Sequence, residues 1–89
     1  MKPDDKPRQN EDTAARKIDD VFYVIDSETS ELHSFNKVGS LVYELSDGEH
    51  TVADIVAAVV DQFDVETGVA ERDVLEFLDS LIGKNLIAV

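Results

Sequence analysis

Few side chains in this sequence have the type and spacing that catalysis or metal binding requires. The 89 residues contain no cysteine and two histidines, His33 and His50. Neither histidine has a partner at HxH or HxxxH spacing, so the pattern gives no support for a zinc site. We therefore interpret both histidines as surface residues.

Carboxylates are abundant, but their pattern is not that of an active site. Pairs such as Asp61 with Asp64, or Glu71 with Asp73, are expected by chance in so acidic a chain. A glycosidase needs two carboxylates that converge in a cleft, whereas these pairs lie on solvated segments. Glycine-rich phosphate loops and the GxSxG nucleophile turn are absent. The sequence predicts a protein that is not an enzyme and that holds no cofactor and no metal.

The distribution of charge excludes two classes of partner. The formal net charge is −12, and residues 18–89 carry three basic residues against sixteen acidic ones. A surface of that sign repels phosphate backbones and anionic lipid headgroups. We expect neither nucleic-acid binding nor membrane binding.

Helical periodicity is strongest between Phe35 and Val60, where two amphipathic helices are separated by a short acidic turn. Apolar residues recur there at i, i+3, i+4 and i+7. Asn36 is the predicted N-cap of the first helix, and Gly48 is expected to end it. Thr51 is the predicted N-cap of the second helix, and Asp54 completes a capping box.

A third helix is predicted from about residue 70 to residue 84. Its core stripe comprises Val74, Phe77, Leu78, Leu81 and Ile82. Asn85 is expected to take the left-handed cap position, and residues 86–89 form a final strand or an extended tail.

Strand signals precede the helices. Ala14–Ile18 is a weak candidate, and Asp19-Asp20 is a turn. Val21–Ile25 is β-branched and aromatic, with apolar residues on both faces, and is predicted to be the central strand. A polar loop at residues 26–30 leads to Glu31–Phe35, a shorter and more polar segment that suits a sheet edge.

Strands followed by helices indicate an α+β fold. The predicted architecture is a small antiparallel three-stranded β-sheet followed by a three-helix unit that resembles a winged helix-turn-helix. Residues 1–13 are polar and aperiodic, and are predicted to be a disordered tail before a single domain at residues 14–89. Without a signal peptide, a membrane-spanning run or a cysteine, the protein is expected to be cytoplasmic.

The helical stretch resembles PqqD-like proteins. The resemblance rests on FNKVGSLVYELSDGEHTVADIV at residues 35–56, and on DVLEFLDSL at residues 73–81 followed by LI at residues 86–87. Its most specific part is the Asp-Gly-x-x-Thr-Val element between the two helices. Tyr43 stands where Trp is common, Phe35 where Leu is common, and Asn85 where Gly is usual. Residues 31–35 depart more strongly from the family's edge strand.

The resemblance implies a recognition element of ribosomally synthesised and post-translationally modified peptide (RiPP) pathways. Such domains bind the leader of a precursor peptide and present it to a modifying enzyme, often a radical SAM protein. The leader adds as a strand to the sheet edge, in the cleft between the third strand and the third helix.

The residues expected to line that cleft come from one strand and one helix. The edge strand offers main-chain groups for strand addition. Leu75 lies off the core stripe, and it either widens that stripe or forms the floor of a shallow groove. The acidic residues of the third helix would favour a leader with Lys or Arg near its apolar anchors. The complete predicted set is Glu31, Leu32, His33, Ser34, Phe35, Glu71, Arg72, Leu75, Asp79 and Ile82.

Two other functions fit the same elements. A winged-helix DNA-binding regulator would share the fold, but the third helix is acidic where such a protein needs basic and amide side chains. A small protein–protein adaptor would use the same sheet edge without a peptide substrate. A monomer is expected, with edge-to-edge pairing of two copies as the alternative.

Overall fold

The computed structural model describes residues 1–26 and 28–89, and its elements are five short strands and three helices. Ser27, in the predicted polar loop, lies outside the described residues. The strands are β1 (Arg8–Gln9), β2 (Thr13–Ile18), β3 (Val21–Asp26), β4 (Leu32–Ser34) and β5 (Ile87–Ala88). The helices are α1 (Lys37–Leu45), α2 (Val52–Phe63) and α3 (Thr67–Gly83). The predicted α+β class is confirmed.

A three-stranded antiparallel sheet has the order β2-β3-β4. Asp19 and Asp20 connect β2 to β3, and both have positive φ, of 51° and 66°. A two-residue loop of this kind matches the twist of the flanking strands, and short acidic side chains tolerate its left-handed backbone. The predicted central strand is β3, and the predicted edge strand is β4.

The hydrogen bonds between β3 and β4 determine which main-chain groups of β4 remain at the free edge. Phe35 N–H donates to the Phe22 carbonyl at 3.2 Å, and Asp26 N–H donates to the Glu31 carbonyl at 3.0 Å. Main-chain groups of an antiparallel strand point alternately to one neighbour and to the other. Residues 31, 33 and 35 therefore point toward β3, while Leu32 and Ser34 direct their N–H and carbonyl groups to the free edge.

Helix α1 begins as predicted and ends earlier than predicted. The Asn36 side chain accepts a hydrogen bond from Gly39 N–H at 2.8 Å, which confirms the N-cap. The helix ends at Leu45, because Ser46 N–H closes back onto the Tyr43 carbonyl. Gly48, with φ of +79°, turns the chain three residues later rather than ending the helix itself.

Helix α2 has the predicted capping box. Thr51 Oγ1 accepts from Asp54 N–H at 3.1 Å, and Asp54 Oδ2 accepts from Thr51 N–H at 3.0 Å. Helix α3 begins at Thr67, three residues before the predicted start. Asn85 follows it with φ of 58°, as its predicted left-handed role requires.

The N-terminal segment differs from the expected disordered tail. Strand β1 pairs with β5, and Pro7 is buried. The carbonyls of Pro3 and Asp5 accept hydrogen bonds from Ala53 and Val52 in the first turn of α2. A helix begins with N–H groups that have no partner inside the helix, and this segment satisfies two of them. Such pairing produces no hydrophobic period, so the sequence pattern did not reveal it.

Tyr43 on α1 is the centre of the core. Its side chain is fully buried, and its ring meets those of Phe22 and Phe35 with centroids 5.2 Å and 5.5 Å apart. Edge-to-face and tilted aromatic pairs of this kind add to the free energy of area burial. The remaining buried apolar residues come mainly from the three helices, together with Val24 on β3 and Leu86 and Ile87 after α3. This packing fixes the sheet against α1 and α3.

Candidate functional site

A groove of about 800 Å³ lies between the edge strand β4 and helix α3. One wall is the strand with the start of α1, and the other wall is one face of α3. The lining residues are Leu32, His33, Ser34, Phe35, Asn36, Val38, Gly39, Asp73, Val74, Glu76, Phe77, Ser80, Leu81 and Lys84. Among the residues that the structure describes, no strand lies beyond β4 in the sheet. The groove therefore runs beside main-chain groups that can still form a ladder.

An aromatic pair joins the two walls. The rings of Phe35 and Phe77 meet edge-to-face with centroids 5.2 Å apart. Phe77 also lies over Gly39 of α1, where a side chain would collide with the ring. Phe77 is half-buried, so part of its ring forms an apolar surface in the groove.

The buried Ser40 hydroxyl fixes β4 against α1. Phe22 N–H donates to Ser40 Oγ at 2.8 Å, and the hydroxyl lies 3.4 Å from the Phe35 carbonyl. The Ser40 hydroxyl thus lies between the Phe22 N–H and the Phe35 carbonyl, which would otherwise form the next ladder hydrogen bond between the two strands. The edge strand β4 is thus held in position at its C-terminal end, while the edge that faces away from β3 stays open.

Four of the five strand residues predicted from the sequence line this groove. They are Leu32, His33, Ser34 and Phe35. Glu31 lies just before them, with its carboxylate 3.6 Å from Nε2 of His33. Side chains alternate along a strand, so His33 and Phe35 point to the helix side, and Leu32 and Ser34 point to the outer face.

The five predicted helix residues lie outside the lining of the groove. Helix α3 instead contributes Asp73, Glu76, Phe77, Ser80 and Lys84, together with the core residues Val74 and Leu81. At about 100° per residue, the predicted set of Glu71, Arg72, Leu75, Asp79 and Ile82 lies on roughly the opposite side of the helix. Their role in peptide contact stays a prediction, and the geometry favours the other face.

Two of those residues lie at a second cavity. Glu71 and Leu75 line a space of about 660 Å³ between α2 and α3, next to Met1 and Pro3. Leu75 therefore does widen the apolar stripe of its helix, but toward α2. The apolar stripe of α3 shows which residues face the core. It does not show which of the two helix surfaces beside the stripe meets the sheet and which meets α2.

Phe77 is the largest of several groove residues that the sequence pattern did not predict as part of the site. The periodicity places it in the core stripe, and one side of its ring does pack on Phe35. A large aromatic residue at the border of a stripe has enough area to serve both the core and a neighbouring surface. That position was the available signal.

Charge on the helix wall is unequal along its length. Asp73 and Glu76 lie toward its N-terminal end and Lys84 lies at its C-terminal end. Arg72 Nε approaches Asp73 Oδ1 at 3.6 Å, but both side chains are largely exposed. The arrangement can attract a cationic side chain at one end of the groove.

Two carboxyl groups with a lowered pKa lie near the start of α2, Asp47 in the turn after α1 and Asp54 in the first turn of α2. Backbone N–H groups of Glu49 and His50, and the imidazole of His50, hold the pKa of Asp47 below its ordinary value. The N–H and hydroxyl of Thr51 hold the pKa of Asp54 low in the same way.

Within residues 1–26 and 28–89, no three His, Cys, Asp or Glu side chains are placed to hold a metal ion. In the same ranges, no helix is both long and apolar enough to span a bilayer.

Comparison with known families gives a match over most of the chain. The family model of coenzyme PQQ synthesis protein D (PqqD) matches residues 22–87. That range contains β3 except its first residue, Val21, together with β4, all three helices and the first residue of β5. Among curated proteins, none matches the chain.

Three solved structures share the fold. The chain resembles TbiB1 in complex with the TbiA(beta) leader peptide at 25% identity and a TM-score of 0.83, over 90% of this chain and 93% of that one. A lasso peptide synthetase B1 complexed with the leader peptide gives 20% identity and 0.83, over 94% and 99%. The PqqD truncation of Methylobacterium extorquens PqqCD, described as a RiPP recognition element, gives 21% identity and 0.74, over 93% and 88%. The latter two likenesses bear on the fold alone.

Proposed function

The chain belongs to the PqqD family, and from that premise we propose that it is a non-catalytic recognition element that binds the leader of a precursor peptide. The leader adds as a fourth strand beside β4 and occupies the groove against α3. The observation that carries this proposal is the open main-chain edge of β4 facing the exposed side of the Phe77 ring.

Strand addition supplies affinity through main-chain hydrogen bonds, and pockets beside the strand supply specificity. Leu32 and Ser34 direct their N–H and carbonyl groups away from β3, as the bonds of Phe35 and Asp26 require. A bound peptide would satisfy these groups without breaking any bond of the folded domain. The Ser40 hydroxyl already holds β4 in the conformation that a ladder needs.

The lining and charge of the groove also support a peptide ligand. Side chains that point toward α3 would contact Phe77, and a Lys or Arg near Asp73 and Glu76 would gain charge complementarity. TbiB1 and the lasso peptide synthetase B1, which share this fold, are each in complex with a leader peptide.

The partner that acts on the bound peptide is proposed to be a modifying enzyme, a radical SAM protein in the first instance. The groups of this chain bind and orient a strand, and none is required to move a proton or form a covalent bond. A cytoplasmic location is part of the same proposal, since a precursor peptide meets its modifying enzymes where it is synthesised.

An amide-shift NMR titration tests the proposal. The probes are leader segments of short precursor peptides encoded beside this gene. We expect shifts at Leu32–Ser34 and along the Asp73–Lys84 face of α3, with micromolar or tighter affinity. A control segment with the same composition in scrambled order should shift neither. If no leader segment binds, the peptide-recognition proposal is wrong, and the protein–protein adaptor becomes the better hypothesis.

A further inference from the structure

The outer face of the three-stranded sheet, away from the helices, is apolar and exposed. Ile25 is 46% exposed and Leu32 is 63% exposed, although both lie within strands. Tyr23 and Ile18, on the same face, are 37% and 50% exposed. Lone exposed apolar residues are ordinary, but a group of four on one sheet face marks a surface that contacts another molecule.

Strand register arranges these side chains in rows across the sheet. One row is Ala14 on β2, Ile25 on β3 and Leu32 on β4, all apolar. The next row is Arg16, Tyr23 and Ser34, with polar side chains at both ends and Tyr23 in the middle. Each row ends at the free edge of β4, where an added strand would supply its next member.

We infer that this outer face is a second specificity surface for the bound peptide. This face contacts those side chains of the bound peptide that point away from the groove. One peptide residue lies beside Leu32, continues the Ala14–Ile25–Leu32 row and is apolar. The peptide residue two positions away lies beside Ser34 and continues the second row. The peptide residue between them points to the helix side. The ligand class is therefore a strand with apolar side chains on both faces.

The inference rests on the proposed strand addition, and continuity with that edge identifies the occupant. Leu32 is the most exposed apolar side chain of the face and also the one nearest the edge. Directly opposed side chains on a shared face lie about 5 Å apart and form the contacts that distinguish one partner strand from another. A peptide strand beside β4 covers Leu32 and does not contact Ile18, which lies two strands away on β2.

Selection from a displayed library of random twelve-residue peptides tests the inference. The wild-type domain and Leu32→Thr are used as targets, because threonine keeps strand propensity while removing most of the apolar surface. We expect peptides selected on wild type to be enriched in apolar residues at two positions that lie an odd number of residues apart, and so on opposite faces of the strand. Peptides selected on Leu32→Thr should lose the enrichment at the position that faces outward. Near-UV and far-UV circular dichroism first establish that the variant is folded.

A double-mutant cycle then measures the contact itself. One selected peptide is prepared with its outward apolar residue intact or changed to Thr, and each form is titrated with wild type and Leu32→Thr. We expect Leu32→Thr to weaken the intact peptide about fivefold, and to weaken the Thr-substituted peptide much less. Ile18→Thr, two strands away on the same face, is the matched control and should leave both affinities unchanged.

Three results would overturn the inference. Equal weakening of both peptides by Leu32→Thr would show that no outward contact exists. A dimeric wild type that becomes monomeric in Leu32→Thr would assign the face to a second copy. Loss of affinity in Ile18→Thr equal to that in Leu32→Thr would point to a larger occupant than one strand. Failure of every library peptide to bind wild type would instead refute the proposed function.

Discussion

Gly39 and Phe77 are in such close contact that a Cβ placed on the glycine would lie 2.9 Å from Cζ of the ring. The absence of a side chain on α1 thus lets α3 bring an aromatic ring up to the edge of the sheet. The ring cannot retreat freely, because Phe35 packs against it with a centroid distance of 5.2 Å. These contacts hold Phe77 in the wall of the groove.

Gly39→Ala is therefore expected to destabilise the domain by about 1–3 kcal/mol, as overpacked sites do, and to displace Phe77. Urea unfolding measures the first effect, and the aromatic NMR signals of Phe77 measure the second. Gly68→Ala is the matched control, since a Cβ there meets nothing within 4 Å. That change should be neutral or stabilising by up to about 1 kcal/mol. Equal effects of the two substitutions would contradict the close contact.

The two faces of α3 can be compared at adjacent positions. Ser80 lines the groove, while Asp79 lies on the face first predicted from the sequence, and both side chains are exposed. Ser80→Trp is expected to weaken leader binding at least about tenfold by filling the groove. Asp79→Trp should have little effect. Isothermal titration of both variants with one leader segment measures the difference, and the reverse order would restore the sequence-based assignment.

Acid should weaken the N-terminus of α2 through Asp54. Its pKa is held low in the folded state by the Thr51 N–H and hydroxyl, so the unfolded state binds its proton at higher pH. The stabilisation is complete above the ordinary aspartate pKa of about 3.9 and is lost as pH falls through the lower folded value. Urea unfolding between pH 2 and pH 7 should show a smaller pH dependence for Asp54→Asn than for wild type. Parallel curves for the two proteins would contradict the assignment.

Amide hydrogen exchange checks the position of the N-terminal segment. Gln9 N–H donates to the Ser46 carbonyl at 2.9 Å, and Asn10 N–H donates to the Leu86 carbonyl at 3.0 Å. Both amides should exchange much more slowly than in a free peptide, because they open only with local unfolding. Exchange at free-peptide rates would favour the disordered tail that the sequence suggested.

Local rules predicted most of the fold. The caps at Asn36 and Thr51, the Asp19-Asp20 turn and the left-handed Asn85 each follow from the preference of one residue for one backbone conformation. Strand β3 was identified as central because apolar residues fill both of its faces. The pairing of β1 with β5 depends on main-chain groups far apart in sequence, which no residue pattern records.

Half of the groove could be predicted in the same way. Residues 32–35 line the groove at the predicted sheet edge, because an edge strand shows as a short polar segment after a central one. The side of α3 that faces the groove could not be predicted, because periodicity gives the direction of the core while the turn into the helix and its packing on α2 set its rotation. Contact of either set of residues with a peptide stays a prediction. Leu75 and Phe77 flank the same stripe, and only the tertiary structure shows that Phe77 meets the sheet.

The most direct test of strand addition to β4 uses an edge proline. Proline lacks the N–H group and is tolerated on an edge strand where that group faces outward, as it does at Ser34. Ala15→Pro on β2 is the matched control, because the same alternation directs the Ala15 N–H to the opposite free edge of the sheet.

The measurement is the dissociation constant of one leader segment for wild type, Ser34→Pro and Ala15→Pro, after circular dichroism has established that all three are folded. Strand addition predicts that Ser34→Pro weakens binding at least about tenfold, while Ala15→Pro leaves it unchanged. Equal affinity of all three proteins would contradict strand addition at β4.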